Sequence, residues 1–121
     1  MKPNTTAGQR IGQQTTDNFA FSNGAATSTA AAATVNLPQA NITTESLTTA
    51  AGATYTFTLT NSLITPSSFV GVMVGNGTNT GGTPTVTTVT PGTGSAVIVV
   101  HNAHATVAFN GTLKLNVLVA Q

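Results

Sequence analysis

Polar and apolar positions alternate along much of the chain from Val35 onward. In Thr54-Tyr55-Thr56-Phe57-Thr58-Leu59-Thr60, threonine takes every second position. Successive side chains on a strand point to opposite faces. The stretch therefore predicts a strand with Tyr55, Phe57 and Leu59 toward a core and four threonines toward solvent. Leu113, Leu115, Val117 and Val119 form a second inward row, with Lys114 and Asn116 pointing out. Phe69–Val74 and Ala96–Val100 are continuous apolar runs. They predict strands buried on both faces, or on one face against a subunit partner.

Turn chemistry separates these runs. Gly75–Gly82 is a loop by composition, and Pro91–Gly94 divides a Thr85–Thr90 strand from a Ser95–His101 strand. Asn110-Gly111 has the residue preference of a type I′ turn, and predicts a hairpin from a strand near Ala105–Phe109 into the last strand. The run Ala30–Ala33 is not expected to be helical. Alanine is the best helix former, but the run is short, threonine-flanked and without an amphipathic stripe. About seven short strands spaced by roughly ten residues predict a single antiparallel β-sandwich of jelly-roll or Greek-key type. Residues 22–121 make up that domain. Met1 to Phe21 is polar and without period, and is expected to be an extended arm.

Composition narrows the function. The chain has 121 residues and a mass of 12.1 kDa, one domain by length. Only 4% of residues are charged, against about 25% in a typical soluble domain. Threonine supplies 26 of the 121 residues. Three cations spread along the chain give no phosphate-neutralising patch, so nucleic acid is not an expected partner. No basic amphipathic helix points to a membrane. There is no cysteine, hence no disulfide or thiol chemistry. The first twenty residues lack the apolar run of a secretory leader, and Ala96–Val100 is too short to cross a bilayer. Synthesis in the cytoplasm is the expectation. Five Phe, one Tyr and no Trp leave the core thin, and a net charge of +1 weakens repulsion between copies. Both features favour an obligate oligomer.

The candidate chemistry is sparse. Asp17 and Glu45 are the only carboxylates; one lies in the arm and the other in a Thr-rich segment, so both are expected as solvated surface acids rather than a catalytic pair. His101 and His104 are the only imidazoles. Three apart on a strand, they face opposite ways and cannot chelate jointly. A threefold axis could gather three copies of one histidine around an ion, but capping of a strand end at a surface or subunit contact is the plainer role. No orienting acid in the C-terminal half completes a serine triad. No enzyme and no cofactor are expected. Four Asn-x-Thr acceptor patterns, at Asn4, Asn41, Asn76 and Asn110, are matches that so many threonines produce by chance. The Thr rows do not recur at a fixed coil length, as a regular ice- or sugar-binding array would require. They fit an exposed pleated face.

Three stretches are distinctive together: Gly82-Thr83-Pro84-Thr85-Val86-Thr87-Thr88-Val89-Thr90-Pro91-Gly92, Ser95-Ala96-Val97-Ile98-Val99-Val100-His101-Asn102, and Phe109-Asn110-Gly111-Thr112-Leu113-Lys114-Leu115-Asn116-Val117. This pattern resembles small β-rich virion proteins of tailed bacteriophages, both capsid decoration (cement) proteins and trimeric head- or tail-fibre domains. The resemblance implies a homotrimer on the outer surface of a capsid, with the major capsid protein as partner. Lys2, Arg10 and Asp17, the charges of the arm, are then the expected capsid contacts. If the chain is instead a fibre appendage that attaches to a host surface, the loop residues Asn76, Thr78, Asn79 and Thr93 are the expected receptor contacts.

Overall fold

The computed structural model describes residues 23–120, which form an all-β domain. Its strands are β1 (Asn23–Thr27), β2 (Ala32–Thr34), β3 (Gln39–Thr43), β4 (Thr54–Thr60), β5 (Phe69–Asn76), β6 (Pro84–Pro91), β7 (Ser95–Asn102) and β8 (Leu113–Ala120). They build two four-stranded sheets, β1-β3-β8-β5 and β2-β4-β7-β6, joined through one hydrophobic core in a sandwich-like arrangement. Consecutive strands lie in different sheets everywhere except at the β6–β7 hairpin.

The expected inward rows are present. Phe57, Leu59, Leu113 and Leu115 are fully buried, with Tyr55, Val117 and Val119 close behind. From the facing sheet and the connections come Ile98, Val100, Ile42, Ile64 and Phe109.

Two expectations are corrected and a third is narrowed to one of its alternatives. First, the sheets are mixed rather than antiparallel: β1 runs parallel to β3, and β2 parallel to β4. Parallel neighbours need a crossover between them. Here β2 in the opposite sheet is the crossover for β1 and β3, and β3 is the crossover for β2 and β4.

Second, the two-residue turn with positive φ falls at Ala30-Ala31 (φ 52° and 62°), where Thr29 and Ala32 exchange backbone hydrogen bonds of 2.9 and 3.1 Å. Asn110-Gly111 makes no such turn, and no strand covers 105–109. The Asn110 side chain instead accepts from the Thr80 N–H at 2.7 Å and donates to Thr80 Oγ1 at 2.9 Å. Gly111 is required for close approach: a Cβ there would stand 2.6 Å from Thr78 Oγ1 and 2.8 Å from the Asn79 nitrogen.

Third, the two apolar runs are buried on one face only within the chain. On β7, Ala96, Ile98 and Val100 are inside, while Val97 is 37% exposed. On β5, Phe69 and Met73 are 63% and 74% exposed.

Candidate functional site

Glu45 is not a solvated surface acid. Its carboxylate accepts hydrogen bonds from the Ser28 hydroxyl, from the Tyr55 hydroxyl at 3.0 Å and from the Ala31 N–H at 2.9 Å. Its own N–H donates to Ser28 Oγ at 3.1 Å. These contacts clamp the turn that carries the chain from β1 to β2. Burial pushes the Glu45 carboxyl up, but the hydrogen bonds from Ser28, from backbone N–H groups and from Tyr55 together outweigh it and hold the group below the ordinary carboxylate range. Burial first, and then the neighbouring Glu45, raises the Tyr55 phenol. Among the described residues the partners are two hydroxyls and a backbone N–H, which hold the carboxylate as the anion that fastens this turn. Asp17 lies outside the described residues.

The connections 44–53, 77–83 and 103–112 meet at one end of the sandwich around two buried asparagines. Asn102 is fully buried. Its Oδ1 accepts from the N–H groups of Thr83 (3.0 Å) and His104 (3.1 Å), and its Nδ2 donates to the carbonyls of Thr49 (3.2 Å) and Val107 (2.9 Å). One side chain thus ties all three connections. Asn79 is 3% exposed; it donates to Asn76 Oδ1 and the Gly81 carbonyl and accepts from the Asn110 N–H.

The histidines sit beside this end. His101 donates from Nε2 to the Gly52 carbonyl at 3.2 Å. Nδ1 of His104 accepts from the N–H groups of Thr106 and Val107, both at 3.0 Å. His101 thus reaches across to the connection at Gly52, His104 shapes its own turn, and among the described residues no three His, Cys, Asp or Glu side chains gather as metal ligands.

The loop residues expected to meet a receptor are divided. Asn76 and Thr78 are exposed at the asparagine-rich end, while the side chain of Asn79 is turned into the loop that it shapes. Thr93 is exposed at the opposite end, beyond the whole length of β6. Eight residues of strand separate the two positions by about 26 Å. They do not form one contact patch. Lys2 and Arg10, like Asp17, lie outside the described residues.

The broad surfaces are the outer sheet faces. That of the β2-β4-β7-β6 sheet sets Val97 and Val99 of β7 between Thr56 and Thr58 of β4 and Thr88 and Thr90 of β6. That of the β1-β3-β8-β5 sheet carries an open groove of about 440 Å³ lined by Gln39, Phe69, Gly71, Met73, Asn116 and Leu118, among others. The apolar run of β5 concealed this groove from sequence reading. A signal was nevertheless present: Phe69, Gly71, Met73 and Gly75 share one parity, and glycine in a strand interior marks a face with no side chain to pack.

No protein-family model, curated protein or solved structure matches the chain.

Proposed function

We propose that this protein is a structural virion component, a capsid decoration protein that binds the outer surface of a tailed-phage head and stabilises it. The observation that carries the reading is the near absence of charge on a domain with two broad sheet faces. Between residues 23 and 120, Glu45 and Lys114 are the only Asp, Glu, Lys or Arg residues, and Glu45 is held in the β1–β2 turn. Covering a charge with protein costs free energy unless it is paired. A sandwich with Lys114 as its one charge outside that turn can be covered over most of its surface without that penalty.

The finer architecture in this reading is a jelly-roll-like sandwich that assembles as a homotrimer. Eight strands in two sheets is the strand count of a jelly roll. Val97 and Val99, flanked by threonines, supply a charge-free face for a second copy. The N-terminal segment with Lys2, Arg10 and Asp17 contacts the major capsid protein, and the complex resides on the virion surface. Binding only to the assembled shell would stabilise it by mass action.

The test is the copy number of this chain relative to the major capsid protein in purified virions, measured by quantitative mass spectrometry. Hundreds of copies per particle are expected. A few to a few dozen would replace decoration with a fibre appendage.

A further inference from the structure

The groove on the outer face of the β1-β3-β8-β5 sheet lies where the chain leaves the described domain. Residue pairing runs across the sheet from Asn23 to Gln39, from Gln39 to Leu118, and from Leu118 to Gly71. Gln39, Leu118 and Gly71 all line the groove. With neighbouring strands about 4.8 Å apart, its centre is roughly 10–14 Å from Asn23. The groove is apolar at its floor and carries no charge: Phe69 lies against the bare Cα of Gly71, where a Cβ would stand 3.1 Å from its ring, and Met73 rises beside it.

The sequence immediately before Asn23 is Asn18-Phe19-Ala20-Phe21-Ser22. Phe19 and Phe21 are two of the five phenylalanines and the only aromatic residues ahead of Asn23. Four residues span up to about 14 Å when extended, enough to bring Phe19 to Gly71.

We propose that Phe19 and Phe21 dock in cis on this groove, against Phe69, Met73 and Leu118, and fasten the N-terminal segment across the sheet. The inference does not depend on the virion reading. It places the root of the segment on the domain's own surface and leaves the charges at Lys2 and Arg10 beyond it.

The test uses the full chain, which has no native cysteine. Phe21→Cys with Leu118→Cys is oxidised and compared with Phe21→Cys with Thr56→Cys, whose second site is on the other sheet. The first pair is expected to give an intramolecular disulfide in clear excess over the second, and Phe19→Ser is expected to reduce it. In parallel, peroxide oxidation of Met73 is followed by peptide mass spectrometry, with a several-fold faster rate expected in Phe19→Ser/Phe21→Ser than in the unmodified chain. A disulfide formed only between chains would overturn docking in cis. Equal yields for the two pairs, or equal Met73 oxidation with and without the two phenylalanines, would overturn docking altogether.

Discussion

Two alanines hold a conformation that alanine disfavours. Ala30 and Ala31 sit at φ 52° and 62°, where Cβ crowds the following carbonyl at about 1–2 kcal/mol per residue. Glu45 and the Thr29–Ala32 bonds hold them there. Ala30 is exposed, so Ala30→Asn relieves strain without disturbing the core and should raise stability by about 0.5–1 kcal/mol in a urea melt. Ala30→Val should lower it by more than that, because a β-branched residue fits this region worst. Glu45 gives the turn a pH dependence of determinate sign. Its folded carboxyl lies below the ordinary range. The stabilisation is therefore present above the unfolded value near pH 4.3 and is lost as pH falls through the folded value. The urea midpoint should hold level above about pH 5 and decline below it. Glu45→Gln should cost about 1 kcal/mol at neutral pH, a figure reduced for partial exposure, and should flatten the acid limb. A limb unchanged in Glu45→Gln would mean that another group controls it. None of this was legible in the sequence, where a lone Glu among threonines reads as a surface acid and Ala-Ala carries no turn signal.

At the scale of elements, Asn102 ties the three connections of the loop end together. Asn102→Leu fills a similar volume but strips partners from the N–H groups of Thr83 and His104 and the carbonyls of Thr49 and Val107. Each buried unpaired group costs about 1–3 kcal/mol, so a total near or above 3 kcal/mol is expected. Thermal melting would show it, and a change below 1 kcal/mol would mean that water replaces the side chain. Gly82→Ala should be comparably harmful: φ is +72°, and a Cβ would stand 2.8 Å from Asn102 Nδ2 and Phe109 Cδ1. The long strands were readable because large apolar residues at period two leave little choice of face. β1 and β2 were not, since Ala, Gly and Thr give almost no contrast between faces, and neither strand holds a fully buried residue. Asn110-Gly111 misled for a related reason. Both residues serve the packing of one loop on another, through an amide that bridges to Thr80 and a glycine that touches backbone, and local turn statistics carry no information about a loop 30 residues away.

For the molecule as a whole, the unequal sizes of the strands predict how it opens. β4, β7 and β8 are central and supply most of the buried apolar side chains, whereas β1 and β2 are short outer strands paired on one side only. Backbone amides of β1 and β2 should exchange with deuterium well before those of β7 and β8. Simultaneous exchange would instead place the parallel strands within one cooperative unit. The charge distribution sets a second property of the whole. Screening acts only on charges, over about 8 Å at physiological ionic strength. Outside the N-terminal segment the chain offers Lys114 as its one charge free of the Glu45 cluster. Any association through the sheet faces must then be driven by apolar burial and hydroxyl pairing, which salt does not screen. The oligomeric state in analytical ultracentrifugation should be the same at low salt and at several hundred millimolar. Stronger association in sulfate fits the same picture, because excluded salts strengthen apolar burial. Dissociation by sodium chloride would transfer the contact to Lys2, Arg10 and Asp17, the charges of the N-terminal segment, and would make that segment rather than either sheet the joint between copies.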